Sequence, residues 1–413
     1  MEITLSDFAQ QDPKAHEAAD IIRRCVHCGF CTATCPTYQL LGDERDGPRG
    51  RIYMIKQMLE GDPISRETQL HLDRCLTCRN CETTCPSGVE YGRLVDLGRE
   101  MVDEKVSRPL GQRIVRGLLR EGLTSPWFGA AARVGRALRP ILPAVLSQKL
   151  PAVAPSRLRW PSGHHARKVI LPRGCVQPAL LPNIDVATAV VFDRLGIESL
   201  VPEASGCCGA VRHHLTDGHG ALAEVRRNID TWWPMVASGE VEAIVVNASG
   251  CAVMVKDYGR LLAQEPDYAE KARVISDLAR DPIEILGPML TELQQRAPAI
   301  AATQAGTKLA YHPPCTQQHG LKIRGAVEAF LRSLGVAPQP IADSHLCCGS
   351  AGTYSVLQPS LAQSLKTQKI EALTAGDPDV ILSANVGCIG HLQTGTSVRV
   401  VHWIEWLEEQ TRP

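Results

Sequence analysis

The sequence has no excess of either charge: 44 Lys and Arg balance 44 Asp and Glu over 413 residues. Such a balance leaves no electrostatic footprint for nucleic acid or an acidic substrate. No stretch has the length and apolarity of a membrane span. Met1 to Asp20 is polar and acidic, without the basic and apolar regions of a secretory leader. A soluble or peripheral protein is therefore expected. The dinucleotide fingerprint G-x-G-x-x-G is missing, and no constellation of bases suits hydride or proton abstraction. Aromatic residues are scarce, at 4%. Hydrophobic residues make up 44%, enough for a sizeable core in two or three domains.

Cysteine is plentiful, with 16 in the chain. The first eight follow one pattern written twice, C-x2-C-x2-C-x3-C-P: Cys25, Cys28, Cys31, Cys35 with Pro36, then Cys75, Cys78, Cys81, Cys85 with Pro86. Cysteines three apart in a tight turn aim their sulfurs into one concavity, where backbone N–H groups offset a cluster's negative charge. Zinc needs four ligands per site and does not call for the third and fourth cysteines at these spacings. A disulfide framework implies secretion. The spacing is that of bacterial ferredoxins carrying two [4Fe–4S] clusters, in which the fourth cysteine ligates the other cluster. On that pattern Cys25, Cys28, Cys31 and Cys85 take one cluster, and Cys75, Cys78, Cys81 and Cys35 the second.

Between the loops, Arg49 to Leu59 reads as an amphipathic helix begun after Pro48 and stopped at Gly61-Asp62-Pro63. Helices are also expected over Leu70 to Leu76 and Val89 to Val106. This predicts an all-α, helical two-cluster ferredoxin domain over residues 1–105. Residues 106–167 follow as a basic amphipathic linker. Counted through Lys168, that stretch has twelve Lys and Arg against one acid, Glu121, with apolar residues interleaved in two short helices and an irregular tail. It suits an anionic lipid surface or acidic partner. The other reading is a linker packed on its own protein.

From Lys168 the chain repeats itself. Gly174-Cys175, Gly206-Cys207-Cys208-Gly209 and Gly250-Cys251 return as Pro314-Cys315, Leu346-Cys347-Cys348-Gly349 and Gly387-Cys388. The offsets are 140, 140 and 137 residues. Short apolar runs precede the landmarks: Val169 to Leu171, Ile197 to Val201, Ile244 to Val246, and their counterparts. Helical stretches lie between, as at Asp185 to Leu195, Ala221 to Val236 and Leu361 to Thr374. The expected fold class is α+β multidomain: the helical ferredoxin, then a duplicated α/β Cys-Cys-Gly domain with repeats at 168–300 and 301–413. The cysteines would sit beyond the carboxyl ends of parallel strands. Cys175, Cys207, Cys208 and Cys251 form one candidate metal site, and Cys315, Cys347, Cys348 and Cys388 the other. His213, His214, His219, His312 and His345 stay outside both. Gly206-x-x-Gly209 and Gly349-x-x-Gly352 fit an anion cradle or simple backbone approach.

The repeats resemble the Cys-Cys-Gly domain of heterodisulfide reductase subunits, whose late landmark is C-x-x-C. Here it reads Cys251-Ala-Val-Met254 and Cys388-Ile-Gly-His391, which leaves clusters of that kind, and disulfide reduction at them, in doubt. His391 is offered as a substitute ligand. Whether the repeats hold a third iron–sulfur cluster, zinc or no metal stays open. The whole order resembles the iron–sulfur subunits of bacterial glycolate oxidases. The most specific pieces are Cys25 to Tyr38, Gly47-Pro-Arg-Gly-Arg-Ile52 and Ser383 to Gly395. The iron–sulfur subunits of anaerobic glycerol-3-phosphate dehydrogenase and of lactate utilisation share the architecture.

This resemblance implies an oxidoreductase complex in which FAD-bearing partner subunits oxidise glycolate to glyoxylate. The chain would be a non-catalytic electron-transfer subunit, cytoplasmic and peripheral on the inner membrane, delivering electrons to quinone or another membrane acceptor, with no nucleic acid among its partners. A thiol or heterodisulfide reductase and a cluster-bearing sensor or scaffold are the competing readings.

Overall fold

The computed structural model describes residues 1–138, 158–296 and 306–412. Arg139, Lys149 and Arg157 of the basic segment, with Ile141, Leu142, Val145 and Leu146, lie outside the described residues.

The first hundred residues are helical. α1 (Pro13–Arg23) starts on an Asp12 cap, and α4 (Pro48–Glu60) starts on Pro48 and ends at Gly61 in the left-handed region. α2 (Phe30–Ala33), α3 (Pro36–Leu41) and α6 (Asn80–Thr84) carry parts of the cysteine loops. α5 runs Arg66–Asp73 from a Ser65 cap, and α7 runs Tyr91–Lys105. The expected helix over Leu70 to Leu76 is thus shifted: it ends at Asp73, and Leu76 belongs to the second cysteine loop. Ile22, Ile55, Leu59, Leu72, Leu94 and Leu97 are fully buried between α1, α4, α5 and α7.

α8 (Leu110–Thr124) and α9 (Phe128–Ala137) follow. No side chain of α8 is buried. Two of its arginines nevertheless turn inward: Arg116 pairs with Asp73 at 2.9 Å and Arg120 reaches Asp217 at 3.6 Å. Arg108 just before the helix pairs with Asp73 and Asp103. Arg136 of α9 donates to the Ala179 carbonyl at 2.6 Å. Leu110, Ile114, Val115 and Leu118 remain exposed on α8, as do Trp127 and Val134 beyond it. Within the described residues the linker therefore packs on its own protein through Arg108, Arg116, Arg120 and Arg136, while Arg113 and Arg133 stay exposed alongside an apolar face.

Two parallel sheets form the remainder. The first has strand order β2-β1-β3-β4, with β1 Arg167–Ile170, β2 Ile197–Leu200, β3 Ala243–Val245 and β4 Ala279–Arg280. The second has order β5-β6-β7, with β5 Leu309–His312, β6 Val380–Ser383 and β7 Arg399–His402. Helices α10 (Asn183–Arg194), α11 (Gly218–Ala237) and α12 (Ser249–Lys256) belong to the first half. α13 (Pro359–Thr374), α14 (Val386–Gln393) and α15 (Trp403–Gln410) belong to the second.

One expected counterpart is missing. The strand that would match β2 is reduced to a single bridge between Ala310 and Gln339, made by Gln339 N–H on the Leu309 carbonyl at 2.7 Å. Pro338 and Pro340 flank Gln339 and have no N–H to extend the ladder.

The halves share a core. Val169, Phe192 and Ile197 of the first belong to one buried cluster with Tyr311, Ile381 and Trp403 of the second. His402 Nε2 lies 2.9 Å from the Asn247 carbonyl, and Arg194 pairs with the buried Glu408.

Candidate iron–sulfur site

Each ferredoxin loop places residues in the left-handed region at the same two points. In the first these are His27 (φ 58°) and Gly29 (φ 86°), either side of Cys28. In the second they are Thr77 (φ 52°) and Arg79 (φ 59°), either side of Cys78. Non-glycine residues adopt this region only where the surroundings impose it. Alternating right- and left-handed residues turn successive N–H groups into a concavity for an anion. The third cysteines, Cys31 and Cys81, sit in the short α2 and α6. The fourth, Cys35 and Cys85, precede Pro36 and Pro86 and leave the loop in extended backbone.

The thiols converge across the loops. Burial pushes the Cys31 thiol up to about 11, helped by Cys25 and then by Cys35 and Cys85. Cys25, Cys28, Cys31 and Cys85 line one small cleft together with Cys81. Burial also raises Cys81, followed by the influence of Cys78, Cys75 and Cys35. Each fourth cysteine therefore stands beside the other loop's triplet. Cys28 is exposed, whereas Cys25, Cys35, Cys75 and Cys81 are buried.

Around the second loop lies a buried polar network that spacing alone did not reveal. Arg51 is 1% exposed and donates to the His71 carbonyl (2.7 Å) and to Thr37 Oγ1 (3.2 Å). Asp46, fully buried, accepts from Arg74 (2.8 Å) and faces His71 Nδ1 (2.9 Å). Arg99 donates to the carbonyls of Leu72 and Cys75 and to Thr77 Oγ1. Tyr91 Oη points at Cys75 Sγ, 3.7 Å away. Buried guanidinium groups beside a thiolate nest offset its charge where water cannot.

In the first half, Cys175, Cys207, Cys208 and Cys251 form a continuous chain of sulfur contacts. Hydrogen bonds from Cys175 and Cys208 hold the Cys207 thiol down. Cys175 and Cys208 are correspondingly raised. In the second half Cys315 Sγ approaches Cys347 Sγ at 3.7 Å, Cys348 follows on, and Cys348 contacts Cys388. The structure thus brings each group of four sequence-chosen cysteines together, drawn from a strand-end loop, the Cys-Cys-Gly turn and a helix N-terminus. The glycine after each pair is forced by close approach. A Cβ on Gly349 (φ 85°) would meet the Ala362 carbonyl at 2.6 Å, and one on Gly209 (φ 94°) the Ala221 carbonyl at 3.1 Å.

The second half abuts the second ferredoxin loop. Cys315 is the strongest influence on Cys78 after burial. Leu76, Cys315, Cys347 and Tyr354 form one buried cluster, with Cys78 packed on it. Tyr354 Oη donates to the Arg74 carbonyl at 3.0 Å, and Asn80 Nδ2 to the His345 carbonyl at 3.2 Å. A cavity of about 870 Å³ lies between the ferredoxin and both halves, lined by Cys75, Cys78, Cys207, Cys251, Cys347 and Cys388, among others.

The residues at the late landmarks differ. Met254 is buried beside Gly209. His391 Nε2 faces the Ala362 carbonyl at 3.3 Å. His312, set aside on sequence grounds, is 1% exposed, and burial pushes its ring down to about 3. A ring nitrogen of His312 and the sulfurs of Cys348 and Cys388 all lie within 4.8 Å of one another. His213 and His214 instead flank Asp96, each at 3.4 Å, where α7 meets the first half.

Residues 21–89 match the 4Fe-4S dicluster domain family, and residues 170–256 and 309–393 each match the cysteine-rich domain family. Loops, sheets and sulfur nests together define an iron–sulfur electron-transfer protein built from a dicluster ferredoxin domain and paired cysteine-rich domains. The chain is 50% identical over 410 residues to the glycolate oxidase iron-sulfur subunit of Escherichia coli, covering 99% of both chains. It is 26% identical to the probable glycolate oxidase iron-sulfur subunit of Bacillus subtilis over 93% of each. Lactate utilization protein A of Geobacillus thermodenitrificans matches 59% of this chain at 26% identity. The chain belongs to the family of glycolate oxidase iron-sulfur subunits.

Proposed function

We propose that this chain is the electron-transfer subunit of a glycolate-oxidising complex, taking electrons from the FAD of partner subunits and passing them towards quinone at the cytoplasmic face of the inner membrane. In this reading Cys25, Cys28, Cys31 and Cys85 hold one [4Fe–4S] cluster, and Cys75, Cys78, Cys81 and Cys35 the second. The observation that carries it is the convergence of each fourth cysteine on the opposite loop, inside paired N–H concavities. That donor set, all thiolate with inward N–H groups, fits cubane clusters. When bound, such clusters supply one-electron transfer. The chain's own residues hold and insulate them. Arg51 and Arg99 neutralise charge at the second loop, Tyr91 orients Cys75, and the apolar helices exclude water.

Packing of Cys315 and Cys347 against Cys78 supports a third station in the second cysteine-rich half. The boundaries 1–105, 106–167, 168–300 and 301–413 describe the units of this relay. The exposed apolar face of α8, with Arg113 and Arg133 also exposed, supports peripheral membrane contact. No helix among the described residues is long and apolar enough to cross a membrane.

Cys78→Ser in the assembled complex tests the reading. Flavin reduction by glycolate should persist, while reduction of a quinone analogue is lost. Loss of flavin reduction would place the chain in the catalytic site instead.

A further inference from the structure

His312 closes β5, and in the parallel register its partner on β6 is Ser383. The two side chains meet, with His312 Nδ1 2.9 Å from Ser383 Oγ. Ser383 is fully buried, so this contact fixes the imidazole plane from one side. His312 Nε2 is buried and has no hydrogen-bond partner among the described residues. A buried polar atom without a partner is unfavourable unless something else satisfies it. Its neighbours are Cys348 and Cys388, themselves 1% and 4% exposed, inside the same 4.8 Å constellation. With Nδ1 taken by serine, Nε2 is the nitrogen left to coordinate a metal, and its serine contact is the orienting kind that metal-bound histidines use.

The first half offers nothing equivalent. At the 140-residue offset that relates Cys175 to Cys315, the place of His312 is held by Pro172. A second difference points the same way. Ala221 and Ala362 supply the carbonyls that crowd Gly209 and Gly349. Seven residues beyond each stand Asn228 in the first half and Lys369 in the second. Lys369 is 3% exposed and anchors to the Asp343 carbonyl at 2.6 Å; burial lowers its amine, and the neighbouring Cys348, Cys347 and Cys315 oppose that. A buried lysine beside clustered thiols suits a site that carries negative charge, whereas Asn228 bridges backbone and Tyr258.

We propose that His312 is a metal ligand, and that the second cysteine-rich half binds an iron–sulfur cluster through a mixed set of Cys315, Cys347, Cys348, Cys388 and the His312 imidazole. The proposal rests on the reading that this half holds the third station. As a fifth ligand a neutral imidazole adds no negative charge, so the site has a higher reduction potential than a fifth thiolate would give it. Electrons arriving by way of Cys78 would thus run downhill into it.

The test uses the full chain, purified anaerobically with its clusters, as native protein, His312→Cys, His312→Gln and His391→Cys. Iron and sulfide are counted first: iron beyond that of two cubanes establishes the third station, and its absence, or zinc in its place, ends the reading on which this inference stands. Redox titration followed by visible absorbance and pulsed EPR then addresses His312 alone. The expected result is a strongly coupled nitrogen in the native third cluster. It disappears in His312→Cys, whose third cluster keeps its iron and shifts to lower potential, and the ferredoxin clusters do not change. His312→Gln should lose the third cluster's iron selectively. A third cluster whose potential is unmoved in His312→Cys, or whose nitrogen coupling survives there and vanishes in His391→Cys, overturns the assignment.

Discussion

Arg79 and Asp257 form an ion pair of 2.8 Å that joins the second ferredoxin loop to the end of α12 in the first cysteine-rich half. Arg79 is also the left-handed residue after Cys78, so the side chain that docks the ferredoxin loop on the first half shares a backbone turn with a candidate cluster ligand. Both partners are mostly buried, and removing one charge leaves the other poorly solvated. Asp257→Asn should weaken this docking by about 2 kcal/mol while iron content stays unchanged. Hydrogen exchange of residues 75–85 and 249–261 should rise together. Exchange rates that do not move would mean that apolar packing alone holds the units.

Arg51 is central to the ferredoxin core. Arg51→Met removes the donor to Thr37 and the His71 carbonyl and leaves the buried Asp46 with only His71 and Arg74. Uncompensated buried charge of this kind costs about 3 kcal/mol or more. Urea unfolding of the variant should show that loss, and the second cluster should titrate at lower potential. A change below about 0.5 kcal/mol, as for an ordinary surface substitution, would refute the role.

The exposed face of α8 makes a separable prediction. Ile114→Glu with Leu118→Glu changes two exposed side chains, so stability should shift by less than about 1 kcal/mol. Partition onto vesicles containing anionic lipid should fall at least about tenfold, from lost apolar burial at the interface. Native binding should also weaken with salt, through Arg113 and Arg133. Unchanged co-sedimentation would leave this face for the partner subunits.

Stability should depend on pH through Asp281, which caps the helix after β4 and accepts from Gln317 of the other half. Burial pushes its carboxyl from 3.8 up to about 7. An acid raised on folding favours the folded state most below its unfolded value. Stability is then lost as pH climbs from about 4 to about 7 and is level above that. Asp281→Asn keeps the cap and removes the charge. It should raise the urea midpoint at pH 8, by the equivalent of about 2–4 kcal/mol, and by only about a third of that near pH 5. An equal effect at both pH values would contradict the assignment.

The cluster loops were readable because their information is local: four cysteines in eleven residues dictate the turn. The duplication was readable because three landmarks recur at nearly one offset, and the parallel sheets with strand-end cysteines agree with it. The surroundings of a residue were not legible where they come from distant segments. His312 looks like any histidine at the end of an apolar run, and only Ser383, 71 residues away, and the Cys348–Cys388 pair give its ring a direction. Arg51 reads as one more charge on an amphipathic helix until Asp46, Thr37 and the His71 carbonyl close around it. For the basic segment the sequence left a surface-binding face and packing on its own protein both open; Asp73 and Asp217 draw Arg116 and Arg120 inward, whereas Arg113 stays exposed. The lost strand at Gln339 was visible in its two flanking prolines, but the repeat suggested a strand and the prolines prevailed.

Iron and acid-labile sulfide counting with Mössbauer spectroscopy, on anaerobically purified native protein and on Cys28→Ser and Cys78→Ser, tests the central claim most directly. The account predicts two cubane clusters held by the eight amino-terminal cysteines, with each substitution disturbing one cubane and sparing the other. Zinc, or no metal, in protein whose eight cysteines are intact would contradict it.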